Sequence, residues 1–214
     1  MKIVITGASR GIGAGLAKAY QSAGHEVFGT SRSGGGLSSL DVTDPSSHAG
    51  FAQSLEGQEI DLLVCNAGVY LDKGADLETG YAVDLWAQSF ATNVTGVFLS
   101  VQNLLPNLRR AKSAKIAIIS STMASDTRAP GGSYIYRSSK AAVLNLGRNL
   151  STDLAGDGIA VGIYHPGWVQ TDMGGSAADI GVDEAVAGLM DRFATLSIEN
   201  TGCFENWDGR PHAY

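Results

Sequence analysis

Tyr136 and Lys140 lie four residues apart in a segment, 134–155, that is predicted to be helical. On a helix, positions i and i+4 share a face, so the phenol and the ammonium would reach the same cleft. At about 4 Å and an effective dielectric of about 20, the ammonium would stabilise a phenolate by about 4 kcal/mol, or about three pKa units. Tyr136 is therefore predicted to titrate near neutral pH as a general acid and base, although a surface tyrosine beside a solvated lysine has the same spacing.

Ser120 and Ser121 follow the apolar run 116–119, which predicts a buried strand over 115–120. Their hydroxyls would then lie at the carboxyl edge of the sheet, where open α/β sheets bind their ligands. A serine at this edge can hydrogen-bond a substrate carbonyl, and either hydroxyl could face the cleft. A hydrolase nucleophile is disfavoured because no G-x-S-x-G elbow surrounds them.

A glycine-rich turn, TGASRGIG at 6–13, follows the apolar run 3–5 and opens a segment with helical apolar spacing. A strand that turns directly into a helix beside a phosphate needs backbone without Cβ, which Gly7, Gly11 and Gly13 supply. The helix that begins near Gly11 would offer unpaired N–H groups and its positive dipole end to a pyrophosphate. The turn thus predicts a dinucleotide-binding unit, with a glycine-rich turn of another α/β protein as the alternative.

The elements that position these residues alternate between strand and helix. Beyond the first strand and helix, strands are predicted at 25–30, in a short stretch ending at 40–42, and at 60–65, 115–120 and 159–164; helices are predicted at 45 to about 55, 82 to about 110, 134–155 and 183–195. This alternation predicts an α/β fold, a Rossmann-type doubly wound parallel sheet of about seven strands with helices on both faces. Residues 1–214 are expected to form a single dinucleotide-binding and catalytic domain.

The composition narrows the function classes. With 214 residues, 44% of them hydrophobic, the chain is long enough for one α/β domain with a substantial core. A net charge of −6 with scattered basic residues disfavours nucleic acid or a membrane surface as partner. No apolar run approaches the roughly 20 residues that span a bilayer, so a cytoplasmic location is expected. Cys65 and Cys203 are expected to be reduced thiols, and nothing in the pattern indicates a metal site.

These motifs, together with Asn66-Ala67-Gly68, resemble those of the short-chain dehydrogenase/reductase family. The resemblance covers nearly the whole chain, and the tail GCFENWDG at 202–209 is similar to that of the compact C-factor-like branch. In such proteins a nicotinamide dinucleotide supplies the hydride while the protein manages geometry and the proton. The resemblance therefore implies an oxidoreductase.

The resemblance implies a catalytic tetrad of Asn93, Ser121, Tyr136 and Lys140. Tyr136 would exchange the proton and Ser121 would orient the carbonyl. Lys140 would lower the pKa of Tyr136 and hold the nicotinamide ribose, and Asn93 would relay protons through water. Taken without the resemblance, Asn93 is only an asparagine at a helix kink.

The resemblance also implies which residues bind the cofactor. The glycine turn would hold the pyrophosphate, Asp41 and Val42 would contact adenine, and Thr171 would hold the carboxamide. The full predicted set is Gly7, Ser9, Arg10, Gly11, Ile12, Gly13, Ser31, Arg32, Asp41, Val42, Asn66, Ala67, Gly68, Tyr136, Lys140, Pro166, Gly167, Val169 and Thr171.

NADP(H) is predicted in preference to NAD(H). A site that selects NAD usually carries an acidic residue at the end of the second strand, but here the sequence is Thr30-Ser31-Arg32. A guanidinium suits a 2′-phosphate, and Arg10 could flank the same phosphate. With no acidic residue at the end of this strand, both arginines are expected to be free of internal ion pairs. Two solvated surface arginines are the alternative.

The expected activity is NADPH-dependent reduction of a small ketone or aldehyde. An alcohol dehydrogenase working in the oxidative direction would use the same residues, and a cofactor-binding signalling protein with incidental turnover is a further alternative, which the intact tetrad disfavours. Three features depart from the family pattern: Cys65, His165, and a longer interval between Ser121 and Tyr136. The first two affect structural support rather than chemistry, whereas the third reshapes the substrate-side loop 123–133.

A homodimer or homotetramer is expected. In the family, the helices that correspond to 82–110 and 134–155 pair across a twofold axis, which gives an isologous interface. Six apolar residues of these segments are expected to be exposed and to form it: Val94, Val97, Val101, Leu104, Leu144 and Leu150.

Overall fold

Seven parallel strands form one sheet in the order β3-β2-β1-β4-β5-β6-β7. The computed structural model describes residues 1–214. The strands are β1 Lys2–Ile5, β2 Glu26–Ser31, β3 Ser38–Ser39, β4 Leu62–Cys65, β5 Lys115–Ile119, β6 Ala160–His165 and β7 Phe204–Asn206. All six neighbouring pairs are parallel. The strand order changes direction between β1 and β4, which opens a crevice at the carboxyl ends of these strands.

Six helices cover the two faces of the sheet. They are α1 Gly11–Ser22, α2 Pro45–Ser54, α3 Val83–Phe90, α4 Gly96–Leu108, α5 Tyr134–Leu154 and α6 Val182–Thr195. A cluster of 24 buried residues lies on the face of α2, α4 and α5, and one of 14 lies on the face of α1 and α6. The predicted Rossmann-type doubly wound sheet is confirmed.

Side-chain alternation explains why the strands are apolar throughout. In β4, Leu62 and Val64 enter the core on one face of the sheet, while Leu63 and Cys65 enter the core on the other. Each face is covered by helices, so both sets are buried. At the start of α2, the side chain of Asp44 accepts a hydrogen bond from the Ser46 backbone at 2.9 Å, as expected of an N-cap followed by proline.

Two predictions about elements and one about exposed side chains are wrong. The helix predicted at 82–110 is two helices joined by a π-helical turn, Ala91–Thr95. The third strand ends at Ser39, so Asp41 and Val42 lie in the loop before α2. Five of the six apolar residues expected on an exposed interface are buried inside the chain, and Val94 is partly buried and packs on the core: the five are Val97, Val101, Leu104, Leu144 and Leu150. Each helix has one apolar face, and that face packs against the apolar sheet inside the same chain.

Cys65 and Cys203 are free, as expected. None of the helices is both long enough and apolar enough to cross a membrane. Nowhere do three or more His, Cys, Asp or Glu side chains converge as they would around a metal ion.

Candidate active site

The four predicted tetrad residues meet at the carboxyl edge of β4 and β5. Tyr136 and Lys140 lie in the first two turns of α5, Ser121 follows β5, and Asn93 lies in the π-helical turn. A Cβ atom on Gly68 would lie 3.4 Å from Asn93 Oδ1 and 3.5 Å from Lys140 Nζ, so both groups border this glycine. Lys140 Nζ lies 5.6 Å from the centroid of the Tyr136 ring.

Tyr136 does not have the lowered pKa that the sequence predicts. Its side chain is buried, and burial raises the pKa of its phenol to about 12. The Ser121 side chain acts in the opposite direction, while Tyr70 and Asp72 add to the increase. The i, i+4 spacing brings the ammonium near the ring, but desolvation of the phenolate is the largest influence on the pKa of Tyr136. The phenol is therefore protonated at neutral pH.

Lys140 is the group of the tetrad that titrates closest to neutral pH. Its side chain is 5% exposed, and burial lowers its pKa from 10.5 to about 8. Nζ donates a hydrogen bond to the main-chain oxygen of Ile119 at 3.0 Å. This bond leaves two of the three ammonium hydrogens for other acceptors.

Hydrogen bonds distinguish the two serines. Ser120 Oγ is buried and donates to the main-chain oxygen of Lys140 at 3.1 Å, so it fastens α5 to the end of β5. Ser121 Oγ accepts from the Met123 backbone at 3.1 Å, which leaves its hydroxyl hydrogen for another acceptor. The serine able to donate to a carbonyl oxygen is therefore Ser121.

Asn93 connects the chain after β4 to α5. Its Oδ1 accepts from the Val69 backbone at 2.8 Å, and its Nδ2 donates to Val69 O and to Ser139 Oγ, both at 3.0 Å. These contacts use both amide hydrogens of a side chain that is 1% exposed. The side-chain amide therefore has a clear structural role in fixing the edge of the site.

The glycine turn has the close backbone packing that a pyrophosphate cradle requires. Gly7 has φ +68, and a Cβ there would lie 2.9 Å from the Ala67 Cα. A Cβ on Gly13 would lie 2.3 Å from Gly7 O and 2.5 Å from Asn66 Nδ2. Asn66 Nδ2 donates to the main-chain oxygens of Thr6 and Gly7, both at 3.0 Å, so the Asn-Ala-Gly motif holds the turn in shape.

The other predicted cofactor residues lie at or near the carboxyl ends of the strands. Thr171 packs against the glycine turn, since a Cβ on Gly11 would lie 3.2 Å from its Cγ2. Thr171 Oγ1 accepts from the Gly174 backbone at 3.1 Å. The remaining predicted residues lie in the loops at the carboxyl ends of the strands or at a strand end: Ser9 and Ile12 at the start of α1, Ser31 at the end of β2, Val42 before α2, Gly68 after β4, and Pro166, Gly167 and Val169 after β6.

Arg10 is not free of ion pairs, contrary to the sequence-based expectation. Its Nη1 lies 3.0 Å from Asp172 Oδ2, although both side chains are about three-quarters exposed. Asp172 follows Thr171 in the segment that packs on the glycine turn, and it is remote in sequence from β2, which is why the pattern around β2 gave no sign of it. Arg32 is exposed and makes no ion pair of this kind.

Asp41 is fixed by its neighbours in the loop before α2. Hydrogen bonds from the Thr43 backbone and hydroxyl lower the pKa of the Asp41 carboxyl, and the charge of Arg32 lowers it further. The Asp41 backbone N–H is bound by Ser47 Oγ at 2.9 Å.

Two departures from the family pattern have structural explanations. Cys65 is 2% exposed and packs in the core, where burial raises the pKa of its thiol to about 12. His165 lies at the end of β6, and burial lowers the pKa of its imidazole to about 4, with further decreases from His212 and Lys140. Both side chains are neutral at pH 7.

The loop between Ser121 and Tyr136 is held by the tail of the chain, a contact that the sequence did not predict. Thr122 Oγ1 lies 2.6 Å from His212 Nε2, and Ser125 Oγ and Thr127 Oγ1 donate to the Tyr214 main-chain oxygen at 3.1 and 2.8 Å. No local pattern could indicate these pairs, because 87 or more residues separate the partners.

Tyr70 and Asp72 are further site residues that sequence reasoning missed. The Tyr70 ring stacks on that of Tyr136, with centroids 4.3 Å apart and an interplanar angle of 21°. The Asp72 carboxylate is buried and accepts hydrogen bonds from the backbone of α5. The only signal in the sequence is their position directly after the Asn-Ala-Gly motif.

A family model described as short chain dehydrogenase matches residues 1–179. The chain belongs to the short-chain dehydrogenase family. This member of the family is an oxidoreductase that acts on C=O or CH–OH groups. The predicted family is thereby confirmed.

This short-chain dehydrogenase is similar to proteins of several kinds. It is 36% identical over 160 residues to the C-signal protein of Myxococcus xanthus, an alignment that covers 74% of this chain and 95% of that protein. It resembles the NADPH-bound carbonyl reductase from chicken fatty liver, with a TM-score of 0.90 and 32% identity over 100% of this chain and 98% of that one. It also resembles the carbonyl reductase Sniffer of D. melanogaster, with a TM-score of 0.92 and 28% identity over 100% of this chain and 99% of that one.

Proposed function

We propose that this protein is an NADPH-dependent reductase of small ketones and aldehydes, with Asn93, Ser121, Tyr136 and Lys140 as its site residues. The observation that carries the proposal is the arrangement of three side chains: a buried Tyr136 phenol, a Ser121 hydroxyl that is free to donate, and the Lys140 Nζ atom 5.6 Å from the centroid of the phenol ring. A phenol that stays protonated at neutral pH is suited to donating a proton, as reduction of a carbonyl requires. Oxidation of an alcohol would require the phenolate.

The crevice fits a dinucleotide. The glycine turn leaves no room for side chains at Gly7 and Gly13, so the backbone can approach a pyrophosphate. At the start of α1, Arg10 makes no side-chain capping bond, so the first amides of this helix remain for an anion. When bound, the nicotinamide would supply the hydride.

Three side chains take part in the transfer of the proton to the substrate. Tyr136 Oη donates its proton to the carbonyl oxygen as the negative charge develops there. Ser121 Oγ donates a hydrogen bond to the same oxygen and so orients the substrate. The Lys140 ammonium stabilises the phenolate that Tyr136 leaves behind. Asn93 keeps the sheet edge and α5 in register through Val69 and Ser139.

Selectivity for NADPH is proposed to rest on Arg32, with Arg10 in support. Arg32 is exposed at the end of β2, where NAD-selective sites carry an acidic residue. The similarity to an NADPH-bound carbonyl reductase supports this assignment. Arg10 must release Asp172 to pair with a 2′-phosphate, which makes it the weaker contributor.

The test is a panel of small ketones and aldehydes, followed by the loss of NADPH or NADH absorbance. The wild type is expected to turn over at least one carbonyl with NADPH faster than with NADH. Tyr136→Phe keeps the ring and removes the proton donor, so kcat should fall by about two to four orders of magnitude. Equal activity of wild type and Tyr136→Phe on every substrate would contradict the proposal and favour a binding role without catalysis.

A further inference from the structure

The first turn of α5, which carries Tyr136, is not capped by its own N-cap residue. Ser133 has φ +49, the left-handed region, and is the one non-glycine residue with positive φ. Its side chain makes no capping hydrogen bond. Ser133 Oγ instead pairs with the Tyr70 hydroxyl. The amides of the first turn must therefore find an acceptor elsewhere.

Asp72, more than 60 residues earlier in the chain, supplies that acceptor. Its Oδ2 accepts from the Ile135 backbone at 2.9 Å, and its Oδ1 accepts from the Tyr136 backbone at 3.2 Å. The residue is 1% exposed, and none of the ion pairs of the chain includes it. A carboxylate buried without a cation is stabilised here by helix amides and by the positive end of the helix dipole.

We propose that Asp72 is a positioning residue for Tyr136, an inference that rests on the proposed role of Tyr136 as proton donor. The backbone N–H of Tyr136 is itself a ligand of the carboxylate, so the place of the phenol depends directly on Asp72. Tyr70, two residues earlier, holds the ring by stacking. Asp72 therefore fixes the backbone of Tyr136, and Tyr70, from the same segment, fixes its ring.

The carboxylate also influences the acid strength of the site. The charged and titratable groups that face Tyr136 are Lys140 on α5 and Tyr70 and Asp72 on the segment after β4. Asp72 raises the pKa of Tyr136 through its charge. Removal of that charge therefore favours the deprotonated form of the phenol.

Asp72→Asn tests the proposal, because it keeps the shape and one acceptor but removes the charge. We expect kcat for carbonyl reduction to fall about tenfold or more, the alkaline limb of the kcat profile to move to lower pH, and NADPH affinity to stay unchanged.

Asp76→Asn is the matched control: Asp76 is an exposed carboxylate of the same segment that also binds backbone amides, those of Glu78 and Thr79. An Asp72→Asn profile equal to that of the control, in an enzyme that Tyr136→Phe inactivates, overturns this inference alone. Activity that survives Tyr136→Phe overturns the proposed function instead.

Amide hydrogen exchange of the wild type tests the same contact and does not depend on a folded variant. First-turn amides of a helix ordinarily lack partners, and α6, whose N-cap Gly181 makes no side-chain bond, is the internal reference. The amides of Ile135 and Tyr136 should exchange at least tenfold more slowly than those of Val182 and Asp183. Equally fast exchange in the two helices overturns the assignment of Asp72 as their acceptor.

Discussion

At the scale of the residue, burial sets the acid–base properties of this site more strongly than charge pairing does. Tyr136 and Lys140 share a helix face, as their spacing predicts, yet the phenol becomes the weaker acid and the ammonium the stronger one. In each case burial favours the neutral form of the group, so the pKa of the phenol rises and that of the ammonium falls. The sequence identifies both residues, but the depth at which they lie depends on loops after β4 and β5 that no local pattern specifies.

Lys140→Met should stabilise the protein at pH 7 while abolishing activity. The folded state holds the pKa of Lys140 at about 8, below its ordinary 10.5. Protonated Lys140 therefore lowers the free energy of unfolding by up to about 3 kcal/mol. Between pH 8 and 10.5 the unfolded chain binds more protons, so wild-type stability rises with pH in that window. The advantage of the variant is therefore full below pH 8 and shrinks to nothing above 10.5.

Urea unfolding at several pH values would measure this difference. Lys112→Met, at an exposed position, is the control and should leave the free energy of unfolding nearly unchanged. A destabilised Lys140→Met at pH 7 would show that the hydrogen bond to Ile119 outweighs the burial of the charge.

Arg32→Ala should weaken NADPH binding by about ten- to a hundredfold, since a charge-assisted hydrogen bond contributes about 1.5 to 3 kcal/mol. NADH lacks the 2′-phosphate, so its affinity should stay the same. Fluorescence titrations of both reduced cofactors would measure the two dissociation constants, with Arg110→Ala, at an exposed position just after α4, as control. Equal losses for the two cofactors would mean that Arg32 supports a contact common to both.

At the scale of the element, hydrophobic spacing predicts the position of a strand or helix wherever that element's own residues determine its conformation. Strands β1, β4, β5 and β6 and helices α2, α5 and α6 lie within a few residues of their predicted positions. The π-helical form of the turn at Asn93 could not be predicted, because apolar spacing runs through it and the hydrogen bonds that Asn93 makes there are to Val69, 24 residues away. The two-residue β3 is likewise defined only by its pairing with β2.

The glycine turn gives a prediction at this scale. Gly13→Ala places a methyl 2.3 Å from Gly7 O, a backbone atom held by Asn66, so the turn must shift. Overpacking of this kind costs about 1–3 kcal/mol, and cofactor binding should be lost with it. Gly50→Ala is the matched control, because its Cβ in α2 meets nothing within 4 Å, and it should stabilise the helix by up to about 1 kcal/mol. Similar thermal melts for the two variants would show that the turn is not closely packed.

At the scale of the whole molecule, the apolar faces of the helices are buried against the sheet. The large apolar side chains that remain exposed are not the six that the sequence predicts at an interface. Val83 and Trp86 on α3 and Phe98 on α4 are 83%, 36% and 41% exposed. Solvation of such side chains is unfavourable, and exposed apolar patches commonly mark association surfaces. We propose that these side chains lie in the isologous interface of a homodimer or homotetramer.

Light scattering at micromolar concentration would decide this proposal, and Phe98→Glu would locate the surface. In an isologous interface each substitution acts twice, once from each subunit, so one buried charge per chain should dissociate a dimer that loses little else. Phe98 is exposed within its own chain, and the variant should therefore keep its fold and its thermal stability at low concentration. Ile198→Glu, at a 44% exposed position on the turn before β7, is the control and should keep the mass of the wild type. A wild type with the mass of one chain would refute the assembly, and an associated Phe98→Glu would place the interface on another face.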